Sequence, residues 1–331
     1  MKALTHIPNL FLESIKTLKL LPKERVIIAV SGGLDSIALA YLFAETQSIH
    51  QLQLEVAHMT HNIRSTEEGH QDYIIVEKIA ENYHLPLHHY VLSKKENNLQ
   101  HGKEQHLRTI RQQWLKSLCH DETDRVALAH HQNDQVETIF MRLNQYYPLK
   151  GLMGIPKENH PFIRPLMFIQ KKELQKFLLE HHFTWAEDST NTDLSILRNQ
   201  IRSMVQEIEP YWPGMEASLL HLGHIASENQ ELIDFLLTQA LKQSYHAIDH
   251  FRYPYLHFKQ QHRIIQRELI YYWFNELMKG KIRPDYRLPQ KFVNSINMNP
   301  NGSILLRGHG FEIRRIKKEL IIQRLITKEQ S

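Results

Sequence analysis

The sequence predicts an α/β protein: a parallel sheet with crossover helices, followed by a smaller α+β module that carries most of the positive charge. Three observations predict it. In the first half, short β-branched runs alternate with longer segments of helical period, the pattern of parallel strands joined by helices. A two-glycine turn, Gly32-Gly33, separates the first such strand from the first such helix. From His250 to Ser331 there are 16 Lys/Arg against 6 Asp/Glu, a net of +10 in a chain of net +4, so the remainder carries −6.

The elements follow in order. Arg25–Val30 (RVIIAV) reads as a buried strand and Ser36–Ala44 as the helix after the glycine turn. Gln53–His58 is the second strand, and Ser65–Glu68 (STEE) is a capping box that opens a helix running to about Tyr83. Leu87–Leu92 is a third strand, His101–Cys119 a helix, Arg125–Ala129 a fourth strand, and a helix runs from about Asn133 to Gln145. Gly151–Pro165 reads as loop, Lys171–His182 as helix, and Trp185–Ser195 as a polar, turn-rich stretch. Glu209–Pro213 (EPYWP) reads as a hinge, which places the domain boundary between 1–209 and 210–331. Beyond it, Gln261–Met278 is helical, with Tyr271–Phe274 as helix core. Ser303–Arg307, Phe311–Ile316 and Leu320–Leu325 form a β-meander turning at Gly308–Gly310.

Composition narrows the class. A chain of 331 residues that is 42% hydrophobic has material for more than one core. Cys119 is the single cysteine, which excludes an intramolecular disulfide and a CxxC zinc or iron–sulfur site. No apolar run approaches the roughly 18 residues that cross a bilayer. Glu13 and Lys16 interrupt the apolar N-terminal stretch, unlike a secretory signal, so a cytosolic location without a membrane partner is expected. The basic C-terminal third suggests polyanion binding; the competing reading is a solvated basic face.

The segment that carries chemistry is Ser31-Gly32-Gly33-Leu34-Asp35-Ser36, directly after a strand and directly before a helix. Glycines let the backbone turn sharply and approach a ligand, and the turn delivers N–H groups and two hydroxyls to a helix N-terminus, an anion site. Asp35 there would repel a phosphate unless a divalent cation lay between them, which implies Mg²⁺. The competing reading is an ordinary corner with Asp35 or Ser36 as N-cap. A Gly-Lys-[Ser/Thr] ending and a G-x-G-x-x-G spacing are both absent, which excludes a Walker A loop and disfavours a dinucleotide fold.

The loop resembles the PP-loop of ATP pyrophosphatases. Further segments, in order, resemble the tRNA(Ile)-lysidine synthetases. These are Ala57-His58-Met59-Thr60-His61-Asn62-Ile63-Arg64, Glu104-x-x-x-Arg108-x-x-Arg111, and His130-His131-Gln132-Asn133-Asp134-Gln135-Val136-Glu137-Thr138 with Arg142-Leu143 and Gly151-Leu152. Arg164-Pro165-Leu166 and Asp188-Ser189-x-Asn191-x-Asp193…Arg198-Asn199-x-Ile201-Arg202 complete the series. The resemblance implies a PP-loop domain in which the wobble cytidine of a CAU-anticodon tRNA(Ile) is adenylated by ATP with Mg²⁺ and then joined to free lysine. It leaves a homodimer open.

Residue roles follow. The loop, Ser31 to Ser36, is expected to hold ATP, with Asp35 also facing Mg²⁺ and counted as catalytic. Arg108 and Arg111 share a helix face and suit planar oxyanions; the resemblance marks Arg111 as catalytic. His58 and His131 are placed in the nucleotide pocket, since neither a Cys partner nor an H-E-x-x-H spacing supports metal ligation. Asp134 and Glu137, three apart on one helix face, match lysine ammonium groups, the role the resemblance assigns; a helix-capping arrangement is the alternative. Arg198 and Arg202 are expected at the pyrophosphate side or on the tRNA backbone. Arg314, Arg315, Lys317 and Lys318 are expected on tRNA phosphates. The chain departs from the family pattern at Thr60, Asn62, Leu107, Gln112, Asn133 and Gln145–Pro148.

Overall fold

The computed structural model describes residues 6–60, 66–93, 103–143, 149–187, 197–247, 249–279, 287–298, 304–308 and 310–325. The chain divides into two compact units, Met1–Asn144 with Gly154–Leu220, and Gln145–Met153 with His221–Ser331.

The first unit runs α1 (His6–Thr17), β1 (Arg25–Ala29), α2 (Leu34–Glu45), α3 (Gln47–His50), β2 (Gln53–Thr60), α4 (Thr66–Asn82), β3 (Leu87–Val91), α5 (Lys103–Ser117), β4 (Arg125–Ala127) and α6 (Gln132–Leu143). It continues with β5 (Glu158–Asn159), β6 (Phe162–Ile163), α7 (Lys171–Glu180), α8 (Leu197–Ile208) and the start of α9 (Met215–Leu241). The sheet order is β3-β2-β1-β4-β6-β5, parallel except for β5. The stretch 151–165, expected as loop, thus supplies two short strands and the end of a 3₁₀ turn over Leu149–Met153. At two residues each, these strands are too short to leave a period in the sequence.

β1 sits at the centre because both of its faces are apolar. Val26 and Ile28 enter the core shared with α1, α2 and α7, while Ile27 enters the opposite layer with Leu115 and Val126. That double burial is the mark of a parallel sheet covered on both sides. α2 is buried from Ser36 to Ala44, so its pattern lacks a polar face. β2 and β4 flank β1 on opposite sides, which makes the carboxyl end of β1 a topological switch point, the expected ligand edge of such a sheet.

The second unit holds the rest of α9, β7 (Tyr245–His246), β8 (His250–Pro254), α10 (Tyr255–Gln260), α11 (Arg263–Met278), α12 (Arg287–Met298), β9 (Ile304–Gly308), β10 (Phe311–Ile316) and β11 (Glu319–Arg324). The expected three-stranded meander is part of a five-stranded antiparallel sheet, β7-β8-β11-β10-β9. β8 was missed because His250-Phe251-Arg252-Tyr253-Pro254 alternates for only five residues and ends in proline. Phe251, Tyr253, Ile313, Leu320 and Ile322 pack with Trp273, Phe274 and Phe292; of the aromatic run on α11, Trp273 and Phe274 are core, Tyr272 packs partly buried against it, and Tyr271 lies outside the cluster. Among the described residues no helix is long and apolar enough to cross a membrane.

Candidate active site

The central strand β1 ends at Ala29, and Val30–Gly33 turn the chain into α2, whose first turn carries Leu34, Asp35 and Ser36. Gly32 has φ +99°, and a Cβ there would stand 3.0 Å from the Asp72 Cβ, so both the turn and the close approach of α4 require glycine. The Ser36 hydroxyl donates to the Gly33 carbonyl at 2.9 Å and accepts from the Ser31 N–H at 3.0 Å, with the Ser31 hydroxyl 3.1 Å away. The Ala186 N–H donates to the Gly32 carbonyl at 2.9 Å and ties the loop to a second segment. The N-cap of α2 is Gly33, and no side chain caps it. The corner reading of Asp35 or Ser36 as N-cap therefore gives way to a helix N-terminus whose donors remain open to an anion.

A cavity of about 570 Å³ opens on this loop. Its lining combines polar groups, among them Ser31, Asp35, Ser36, Arg111, Lys171 and Arg198, with apolar side chains, among them Ala57, Met59, Trp114, Leu115 and Leu128. Asp35 Oδ2 lies 3.5 Å from His131 Nε2 and 3.5 Å from Lys171 Nζ, while Oδ1 is buried without a hydrogen-bond partner. Burial pushes the Asp35 carboxyl up, but His131 and Lys171 outweigh it and hold the group below the usual carboxylate range. One carboxylate with an unpartnered oxygen beside an uncapped helix N-terminus fits Mg²⁺, which takes one or two protein carboxylates and completes its shell from phosphates and water. Among the described residues no set of three or more His, Cys, Asp or Glu is arranged to hold a metal by itself.

Among the described residues Arg108, Arg111 and Arg164 lack a carboxylate partner, and one of them, Arg111, lines the cavity. Arg111, half-buried on α5, leaves its Nε without a partner; burial and then the charge of Arg108 lower its pKa. Burial, with Arg108 nearby, also takes buried Arg164 down to about 10, and its Nε is unpartnered too. Arg108 is exposed, and both Arg108 and Arg164 lie outside the cavity lining.

The histidines separate. His131 is buried between Asp35 and Asp134, its Nδ1 3.7 Å from Asp134 Oδ2, and lines a neighbouring cavity of about 520 Å³ instead. His130 lines the first cavity. Burial drives its pKa down to about 3 against the pull of Asp134, with Arg164, Arg198 and Arg108 adding to the fall. His58 points away, because the alternation of β2 sends Ala57 and Met59 into the cavity and His58 to the α4 side. There its Nδ1 bonds the Val30 carbonyl at 2.9 Å and its ring lies 6.0 Å from that of Tyr73.

Two pairs expected in separate roles meet each other. Arg198 donates from Nε to Glu137 Oε2 at 2.7 Å and from Nη2 to Asp134 Oδ1 at 2.6 Å, and Arg202 Nε donates to Glu137 Oε1 at 2.7 Å. Val136, Ile139, Ile201 and Val205 pack α6 on α8 and set this register. Asp134 Oδ2 also accepts the His131 N–H at 2.8 Å, so the capping role is filled by the same side chain. In the second unit Arg314 pairs with Glu312, a fully buried carboxylate, and the Arg315 guanidinium lies 3.8 Å from the Tyr255 ring centroid. Lys317 and Lys318 are exposed.

A family model described as the PP-loop domain matches residues 6–209. The chain belongs to the PP-loop family. Among curated proteins, this PP-loop chain is 27% identical to the tRNA(Ile)-lysidine synthase of Treponema denticola, over 93% of its own length and 67% of that protein. It is 31% identical to the tRNA(Ile)-lysidine synthase of Actinobacillus succinogenes, over 69% of its own length and 54% of that protein. It therefore spans between about half and two thirds of these relatives. The U34-tRNA thiolase NcsA of Methanococcus maripaludis has the same fold, with a TM-score of 0.54 at 18% identity over 67% of this chain and 80% of that one.

Sequence reasoning had not singled out His130, Trp114 or Lys171 as PP-loop site residues. His130 lay inside a quoted motif, and Met59 beside His58 carried the right strand parity. Lys171 had no local signal, since only the fold brings the start of α7 to Asp35. Two departures acquire physical roles. The Asn133 side-chain oxygen accepts the Lys171 N–H at 3.0 Å, and Leu107 packs with Met59 and Leu92. Residues 61–65, 144–148 and 188–196, which hold the expected capping serine and several motif positions, lie outside the described residues.

Proposed function

We propose that this chain is an ATP-dependent tRNA-modifying ligase that adenylates the wobble cytidine of a CAU-anticodon tRNA(Ile) and joins lysine to it. The observation that carries the ATP half is the cavity itself. It brings together an uncapped helix N-terminus, an arginine without a carboxylate partner and apolar side chains from β2, α5 and beyond β4. Phosphates suit the first two and a purine suits the third. The tRNA and lysine halves are supported by the relatives' names and by the order of the motifs.

In this reading the base oxygen of cytidine attacks the α-phosphorus of ATP and pyrophosphate leaves. The lysine side-chain amine then attacks carbon 2 of the base, AMP leaves, and the amine loses a proton. Arg111 neutralises charge at the phosphates, and the α2 N-terminus and the Ser31 and Ser36 hydroxyls orient them. Asp35 would hold Mg²⁺, which would supply further charge neutralisation. His130, kept neutral, is a donor or acceptor beside the reacting groups without adding charge. Asp134 and Glu137 offer the ammonium site, which requires the lysine to share or displace Arg198 and Arg202. We assign the ATP chemistry to residues 1–209 and backbone contact with tRNA to 210–331, through Lys317 and Lys318 first.

The test is pyrophosphate release from ATP with lysine, comparing tRNA(Ile) bearing CAU, tRNA(Met) and no RNA. Release and lysine incorporation with tRNA(Ile) alone is the expected result. Release with another amine or without tRNA would show that the acceptor differs; no release under any condition would sink the reading.

A further inference from the structure

Lys171 is used by neither the loop nor the acidic pair, yet three features single it out. Its Nζ stands 3.5 Å from Asp35 Oδ2, a Coulombic pair longer than a hydrogen bond of good geometry. The side chain is 36% exposed and lines both cavities, so the ammonium stands beside Asp35 while keeping freedom to move.

The backbone beneath it is fixed. Its N–H is donated to Asn133 Oδ1, and Gln170 and Glu173 form a reciprocal capping box around it. Lys171 is also the first residue of α7, the end where the helix macrodipole disfavours a cation. A lysine there costs helix stability, and the geometry shows what it faces in return: the carboxylate and open helix N-terminus of the anion site.

From this we infer that Lys171, paired with Asp35 here, is a ligand for the polyphosphate end of ATP. It would supply from α7 the point charge that a Walker A lysine supplies from within its own loop. The inference rests on the ATP reading above, and its ligand is an oxyanion chain rather than the nucleoside. The four-carbon stem turns from Asp35 to a phosphate oxygen without moving α7.

Isothermal titration of ATP, pyrophosphate and AMP into wild type, Lys171→Ala and Lys171→Arg tests it. The expected result for Lys171→Ala is about 10- to 100-fold weaker binding of ATP and pyrophosphate, the range for one charge-assisted contact. AMP affinity should stay within about twofold, and Lys171→Arg should recover most of the loss. The Asn133 bond uses the Lys171 backbone, so both variants should melt with wild type. Equal weakening of AMP and ATP, or unchanged ATP binding in Lys171→Ala, would overturn the inference. A wild-type chain that binds neither nucleotide would overturn the ATP reading first and this inference with it.

Discussion

Arg111 enters the cavity from α5 with its Nε unpartnered and the like charge of Arg108 close by. A guanidinium in that setting has lost water and gained no counter-charge, so it costs stability until an anion arrives. Arg111→Met keeps the stem and removes the charge. It should melt at or above the wild-type temperature while pyrophosphate release falls by about 100-fold or more, the scale of losing one preorganised charge at the reacting centre. A variant that loses stability and activity together would make Arg111 a structural residue. His130 makes a companion case in pH. Its folded pKa, about 3, lies below the unfolded value of roughly 6.5, so the unfolded chain takes up the proton first. Its contribution is therefore complete above about pH 6.5 and is lost as pH falls toward 3. Melting temperature followed from pH 7 to 4 should decline less steeply in His130→Asn than in wild type, and parallel curves would refute the assignment.

At the scale of elements, the end of the sheet opposite the loop is held by Arg25 at the start of β1. Its guanidinium donates to both Glu55 carboxylate oxygens on β2 at 2.6 Å, and at 2.7 Å to Asp124, next to β4. The Arg25 hydrogen bond, followed by His88, outweighs burial and holds the Glu55 carboxyl below its ordinary range. Stability from this group is present above the unfolded pKa of about 4.3 and is lost as pH falls through the lower folded value. Glu55→Gln should cost about 1–3 kcal/mol at pH 7 in urea unfolding, and the difference from wild type should shrink below pH 4. A constant difference across that range would show that charge is not what matters. The α6–α8 clamp makes the second case at this scale. Arg198→Ala leaves Glu137, whose side chain is 3% exposed, with Arg202 alone, and a loss of about 2 kcal/mol is expected. If stability is unchanged, the clamp is not structural. These elements also show what the sequence could reveal. The first four strands and the three strands of the C-terminal meander were legible because β-branched runs and the glycine turns are local signals, whereas β5 to β8 were too short or too irregular to show. The loop was legible because five fixed residue types sit between a strand and a helix. The Arg198–Glu137 meeting was not, because it depends on packing across 61 positions of sequence, and neither was Lys171 at Asp35. Parity along β2 was readable in principle: it separates Met59 from His58, and motif matching alone does not use it.

For the whole molecule, net charge does not identify which cations are free. The C-terminal third carries +10, but Arg314 is committed to Glu312, and Arg315 lies over Tyr255 with its Nε donating to the Lys317 carbonyl. Lys317 and Lys318 sit at the β10–β11 turn, fully available to a polyanion. If this unit binds the tRNA backbone, affinity should fall with salt at a slope set by the number of phosphates neutralised. Lys317→Ala and Lys318→Ala should each flatten log K against log salt by about 0.7–0.9, weakening all tRNAs alike. Arg314→Ala should behave differently. It strips Glu312 of its bidentate partner, leaving Gln323 and the more distant Arg307, so the melting temperature should drop while the salt slope stays near wild type. Filter binding of tRNA(Ile) from 50 to 300 mM salt, with melting curves on the same samples, separates the two behaviours. A slope lost in Arg314→Ala and kept in the lysine variants would place the contact on the open face of the sheet, not at the turn.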